Sequence, residues 1–437
     1  MVKVVKFGGS SLADASQFRK VIKIIQAEHD RKYVVPSAPG KRFSGDTKVT
    51  DMLYNCYEMA AKGNDITEMF TTIMDRYNSI IKELELELDL TKEFENIKGS
   101  IIHKAGRDYA ASRGEYLNGI ILATALGFDF IDAADVIYFK DDGTLDAEKT
   151  NQILGDVLST HENAVIPGFY GVMPNDTIKT FSRGGSDITG SIVARAAEAD
   201  LYENWTDVNG FLMADPRVVN NPCTIQKITY HELRELSYMG ATVLHEDAIF
   251  PVRIAGIPIN IRNTNQPEQA GTMIVSNSDS YDTKKIITGV AGKHGFSVIT
   301  LEKDMMNSEV GFGRRVLEVF EKENISFEHL PSGVDTMSVI VSTDVLEGHR
   351  GRIIKELEEA VKPDSVTVDD GIALVAVVGR GMRNAKGTAA RVFKAIAEKD
   401  INIRMIDQGS SELNIIIGVN DAEFQSAINA IYHEFVK

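Results

Sequence analysis

Residues 2–11 read VKVVKFGGSS, and the fold class follows from how this stretch is parsed. Residues 2–7 form a short apolar strand pattern that Gly8-Gly9 breaks. A helical pattern follows, with Phe18, Val21, Ile22 and Ile25 on one face. A second strand is expected to end at Val34-Val35, before the Pro- and Gly-rich loop PSAPGKRFSGD (36–46). Residues 49–128 read as mostly helical. Further strands are expected at 164–168, 201–205 and 257–262, with helices between them. Strands alternating with helices predict an α/β layered domain with a largely parallel sheet. The polar, turn-rich NTNQPEQAGT, followed by SNSDSYD, ends that domain near residue 277, so its span is 1–277.

The last third repeats itself. Shifting residues 296–341 by 76 positions brings Gly311 onto Gly387, Val316 and Leu317 onto Val392 and Phe393, and Phe320 onto Ile396. Ile325, Phe327 and Leu330 fall on Ile401, Ile403 and Ile406. Val339, Ile340 and Val341 fall on Ile415, Ile416 and Ile417. Each copy reads strand, helix, strand, strand, helix, which predicts two small α+β modules at 285–370 and 371–437. Gly379-x-Gly381 hints at a dinucleotide fingerprint, but Asn384 holds the third glycine position and the repeat explains the segment better.

At 437 residues, several domains are expected. Hydrophobic residues at 43% and charged residues at 25% are those of an ordinary globular protein. The formal charge of -16 argues against nucleic-acid or anionic-membrane partners, while leaving room for a local basic pocket. No apolar run reaches the length of a membrane span. Lys3 and Lys6 interrupt the apolar start, so it does not read as a signal peptide. Cys56 and Cys223 fit no disulfide or metal framework, and a reducing, cytoplasmic setting with no protein-bound metal is the plain expectation.

Four segments could carry chemistry. In KFGGSS (6–11) the glycines let backbone approach a phosphate and Lys6 adds a charge; a plain strand–turn–helix corner is the alternative. In TFSRGGSDITG (180–190), Arg183 could grip a carboxylate in bidentate fashion before Gly184, Gly185 and Ser186. Asp187 could orient Lys6 or hold a cation, or simply cap a helix. In WTDVNGFLMADPR (205–217), Thr206 and Asp207 end a strand, where open α/β sheets bind ligands, and Arg217 follows a turn; an ordinary loop is equally consistent. In SRGEYLNG (112–119), Glu115 could recognise an ammonium group or face solvent on a helix.

Together, KFGG, SRGE, FSRGGSD, WTDVNG and DPR at these separations resemble the aspartate kinase family. HLPSGVDTMSVIV (329–341) and INIRMIDQGSSELNIIIGV (401–419) resemble a pair of ACT domains. The resemblance covers essentially the whole chain. It implies an amino acid kinase α/β/α sandwich on an eight-stranded, largely parallel sheet, then two α+β, ferredoxin-like ACT domains, one of which is commonly nested in the other. It also implies transfer of the ATP γ-phosphoryl group to the β-carboxylate of L-aspartate, with Mg²⁺ held mainly through the nucleotide. That reaction opens lysine, threonine and methionine synthesis.

Carried over by position, Lys6 stabilises the transferring group, Gly8, Gly9 and Ser10 line its path, and Asp187 organises Lys6. Ser37, Thr50, Glu115, Arg183, Gly184, Gly185 and Ser186 contact aspartate, with Glu115 on its amine and Arg183 on its α-carboxylate. Thr206, Asp207, Leu212, Arg217, Thr242 and Val243 contact ATP. Many relatives carry lysine within GAKVLH, where this chain has Thr242 in GATVLH, and tyrosine beside adenine, where it has Leu212.

The resemblance to ACT domains implies feedback inhibition by a downstream amino acid, lysine first and threonine or both as the alternative, and homodimers or larger homo-oligomers through those domains. The predicted effector contacts are Met306, in the loop DMMNSEVGFG (304–313), and Ser326 and Glu328 on one face of the next strand. The alternatives are a related kinase of the same fold with another small substrate, and a non-catalytic amino-acid sensor.

Overall fold

The computed structural model describes residues 1–436 except 183, 242, 243, 245 and 278–284. Its residues fall into two units. The first comprises residues 1–211, 226–230 and 243–279; the second comprises 212–225, 231–242 and 280–437.

In chain order the first unit begins with β1 (Lys3–Phe7), α1 (Ala15–Gln26), β2 (Arg31–Pro36), α2 (Val49–Ala61), α3 (Thr67–Glu83), α4 (Thr91–Ile102) and α5 (Arg107–Leu126). It continues with β3 (Asp129–Phe130), α6 (Ala133–Val136), α7 (Ala147–Ser159), β4 (Ala164–Val165), the ribbon β5 (Tyr170–Val172) and β6 (Ile178–Thr180), α8 (Gly185–Ala196) and β7 (Leu201–Thr206). After β8 (Lys227–Thr229) comes α9 (Tyr230–Tyr238), which passes into the second unit. Then α10 (Phe250–Ala255), β9 (Ile259–Asn263) and β10 (Thr272–Val275) complete the first.

Eight strands form one sheet in the order β3-β4-β2-β1-β7-β9-β10-β8. The β9–β10 pairing is antiparallel and the others are parallel. Alternation along β1 and β7 divides the residues between two faces. Val5, Phe7 and Trp205 join a core with residues of α1 to α5. Lys6 and Asn204, paired in register, point to the opposite face, which α8 covers. The expected strand at 164–168 shortens to β4 because Pro167 has no N–H to donate, although Gly168 N still reaches the Pro36 carbonyl at 3.1 Å.

The second unit carries β11 (Gly289–Glu302), α11 (Phe312–Lys322), β12 (Thr336–Ser342), α12 (Thr343–Leu346), α13 (Arg350–Val361) and β13 (Ser365–Val378). These are followed by α14 (Thr388–Ala397), β14 (Met405–Asp407), β15 (Asn414–Asn420) and α15 (Phe424–Phe435). Its antiparallel sheet runs β12-β11-β13-β15-β14. The repeat offset is visible in the backbone: Gly311 and Gly387 cap α11 and α14 with φ of 80° and 83°.

Two cores lie on this sheet. Ile299 and Leu301 pack with α11, β12 and α13 in one. Ile287 and Val290 pack with Val375, Val377 and residues of α14, β15 and α15 in the other. The start of β11 pairs with the end of β13, Gly289 opposite Val378, and the end of β11 with the start of β13, Glu302 opposite Ser365. Residues 289–293 therefore pair with the later repeat, although a contiguous reading puts them in the earlier one. Residues 326–328 differ from expectation as well: they are not a ladder strand. Isolated bridges join His329 to Ile340 and Ser332 to Met337, and Pro331 between them lacks the N–H that would make them one continuous ladder.

Candidate active site

The parallel register brings the carboxyl ends of β1, β2 and β7 to one edge: Phe7 lies opposite Pro36 and Trp205. Beyond that edge the chain segments knit together. Gly8 N donates to the Trp205 carbonyl at 3.0 Å, Ser37 N to Phe7 at 3.0 Å, and Gly40 N to Gly9 at 2.8 Å. A Cβ on Gly40 would stand 2.6 Å from the Gly9 carbonyl carbon, so only glycine permits this approach. The corner does not open directly into α1. A 3₁₀ turn, Gly9–Leu12, intervenes, and Asp14 caps α1 by accepting from Gln17 N.

Lys6 is buried, and its Nζ lies 2.6 Å from Asp187 Oδ1. The same carboxylate oxygen accepts from Asn204 Nδ2 at 2.7 Å. Asp187 is not the helix cap that one reading of the sequence allowed: Gly184 caps α8, with φ 58°, and Asp187 sits in the first turn. Burying an ion pair costs desolvation unless further hydrogen bonds hold it, and Asn204 supplies one. Sequence reasoning missed Asn204. Its only trace in the sequence is a pair of polar residues, Glu203 and Asn204, inside the strand LYENWT, and the register that sets Asn204 opposite Lys6 appears only in the fold.

Glu115 is 5% exposed, so the solvent-facing reading fails. Burial raises its carboxyl pKa to about 8, with the Ala38 backbone amide partly opposing the rise. Its Oε2 has no hydrogen-bond partner among the described residues. The neighbouring Arg113 packs over the rings of Tyr109, Tyr116 and Tyr170, at 4.5 to 5.0 Å. Ser37 is half-buried beyond β2. Thr50 lies in the first turn of α2, which Val49 N ties to the Pro39 carbonyl at 3.2 Å. Buried Arg76 braces this loop by donating to the Gly40 and Ala13 carbonyls and to Asp46, a role no motif announced.

Thr206 ends β7 and Asp207 follows it, with Thr206 Oγ1 donating to Asp207 Oδ1 at 3.2 Å. Leu212 and Arg217 belong to the second unit. There Leu212 bridges Thr224, and the 85% exposed Arg217 side chain pairs with Asp215 at 2.6 Å. Arg183, Thr242 and Val243 lie outside the described residues. Among the described residues no group of three or more His, Cys, Asp or Glu could hold a metal, and no helix is long and apolar enough to cross a membrane.

Of the effector candidates, Met306 is buried in the α11 core and Ser326 is exposed. The Glu328 carboxylate accepts a hydrogen bond from the Tyr238 hydroxyl at the end of α9, so it is not a lone solvent-facing group.

Comparison with known proteins places this geometry. Residues 1–263 match the amino acid kinase family model, and residues 375–435 match the ACT domain model. Over 99% of its length the chain is 38% identical to aspartokinase 3 of Bacillus subtilis, covering 98% of that protein. The crystal structure of Clostridium acetobutylicum aspartate kinase is 51% identical, with a TM-score of 0.90 over 99% of both chains. E. coli aspartokinase III with aspartate and ADP, at 23% identity and a TM-score of 0.72 over the full length of both chains, shares the fold. The lysine–ammonium and aspartate–carboxylate pair at the sheet edge thus sits in a chain that belongs to the amino acid kinase family and, within it, to the aspartate kinases.

Proposed function

We infer that this chain transfers the γ-phosphoryl group of ATP to the β-carboxylate of L-aspartate, giving 4-phospho-L-aspartate for lysine, threonine and methionine synthesis. The observation that carries the reading is the buried Lys6 held 2.6 Å from Asp187 beside the double-glycine corner. A carboxylate is already a nucleophile, so no general base is needed and catalysis reduces to positioning and charge stabilisation. Lys6 meets the charge developing on the transferring group, and Asp187, itself steadied by Asn204, keeps its ammonium in place.

Gly8, Gly9 and Ser10 line the phosphoryl path. Ser37, Thr50 and the segment Gly184, Gly185 and Ser186 surround aspartate, Glu115 takes its ammonium and Arg183 its α-carboxylate. Thr206, Asp207, Leu212, Arg217, Thr242 and Val243 serve the nucleotide. Mg²⁺ bound together with the nucleotide would neutralise charge on its phosphates.

Lysine is the proposed inhibitor, acting through the second unit near Ser326 and Glu328, with threonine as the alternative. Homo-oligomers through the ACT modules and a cytoplasmic location complete the reading. The test is ADP release with aspartate, glutamate, acetylglutamate or UMP as acceptor. Turnover confined to aspartate is expected, and turnover confined to another acceptor, or none, overturns it.

A further inference from the structure

Two side chains on α5, one turn apart, each keep a buried acceptor without a partner among the described residues: Glu115 Oε2 and Asn118 Oδ1. Residues at this spacing share a helix face. Asn118 is fully buried, and its amide orientation follows from its bond, since Nδ2 donates to the Ser37 carbonyl at 2.7 Å and leaves Oδ1 over. α5 comes up tightly against this turn because residue 114 is glycine; a Cβ there would lie 2.8 Å from that of Ala38. Both free acceptors therefore stand beside residues 37–38, just past β2, the strand next to the one that carries Lys6. Buried polar atoms without partners are uncommon, and two together call for a ligand rich in N–H groups.

An ammonium group has three donors and no acceptor, and a single positive charge matches one carboxylate plus one neutral oxygen better than it matches two carboxylates. We propose that Asn118 is the second acceptor for the ammonium group of the amino-acid substrate, working beside Glu115. The assignment rests on the aspartate-kinase reading above and adds to it a residue that selects for the amine.

The experiment compares the full-length chain with Asn118→Leu and Asn118→Asp, measuring KM for aspartate and for ATP. It also measures competitive inhibition by succinate, which keeps both carboxylates and lacks the amine. Asn118→Leu is expected to raise KM for aspartate about tenfold, the scale of one lost hydrogen bond to a charged group, with succinate inhibition and KM for ATP within about twofold of wild type. Asn118→Asp keeps an acceptor at the same reach but adds a second carboxylate and loses the donor to Ser37, so it is expected to recover part of the loss. If Asn118→Leu weakens aspartate and succinate equally, Asn118 acts only by holding the Ser37 carbonyl and the proposal falls. An unchanged KM for aspartate also overturns it. Should the leucine variant fail to fold, Asn118→Asp and Asn118→Ser decide. Aspartate affinity higher with Asp than with Ser supports the role, and equal affinities refute it. A wild type that does not phosphorylate aspartate would refute the functional reading instead.

Discussion

Substituting Glu115 by glutamine tests the site through its protons. In the free chain the buried carboxyl titrates at about 8, so at neutral pH it is mostly protonated. Accepting an ammonium group requires the carboxylate, and binding must therefore expel that proton. At pH 7 a group titrating at about 8 is roughly nine-tenths protonated, so aspartate binding should release close to one proton per site. By the same argument KM for aspartate should rise about tenfold for each pH unit below 8, reaching roughly a hundredfold at pH 6.

The folded value lies above the ordinary 4.5, so between those limits the folded chain holds a proton that the unfolded chain lacks. That contribution to stability is fully present below about pH 4.5 and is lost as pH rises through about 8. At ~1.36 kcal/mol per pH unit, the interval corresponds to roughly 5 kcal/mol. Glu115→Gln should bind aspartate weakly, lose the pH dependence, and melt above the wild type at pH 9. Titration calorimetry in buffers of different ionisation enthalpy counts the protons. Binding that releases none at pH 7, together with a KM flat from pH 6 to 8.5, would refute the ammonium role of Glu115.

Lys6→Ala should lower kcat by about 10²–10³ with the melting temperature little changed; activity above about a tenth of wild type removes Lys6 from the mechanism. Gly40→Ala forces a Cβ against the Gly9 carbonyl and should lower both kcat and stability. A fully active, equally stable variant would show that the corner tolerates displacement. Lysine should inhibit the wild type at millimolar concentration, with a coupling of about 1–3 kcal/mol. Glu328→Ala should be less sensitive than Tyr238→Phe, which removes only the hydroxyl that bonds Glu328. Equal, full sensitivity of both variants would move the effector elsewhere.

What the sequence discloses depends on how local the signal is. Lys6 and Asp187 each adjoin a glycine corner, and both could be named from a few residues. Glu115 could not be settled, because α5 is buried around most of its circumference and periodicity then offers no solvent face to compare. Asn204 becomes meaningful only through the register that sets it opposite Lys6, a pairing between strands nearly two hundred residues apart in sequence. Arg76 depends on the path of a loop thirty-odd residues away. The apolar alternation at 325–330 predicts a strand, but pairing there is limited to isolated bridges at His329 and Ser332, which Pro331, without an N–H, does not join into a ladder. The repeat fixes the order of elements in each module but not which half of β11 each core takes, because a strand can change partners without any change in composition.

That sharing of strands bears on how the protein can be made and cut. During synthesis residues 289–293 emerge early, yet their partners at 374–378 come some eighty residues later, so one core stays open until the other is nearly finished. Severing the chain after residue 277 would not liberate a clean catalytic half either. Ala214 and Val219 pack with Ile287, Val375 and Val377, and their apolar surfaces would be left in water. A transplant or deletion of the regulatory part must therefore take residues 212–225 and 231–242 with it, as a discontinuous graft joined at several points rather than one.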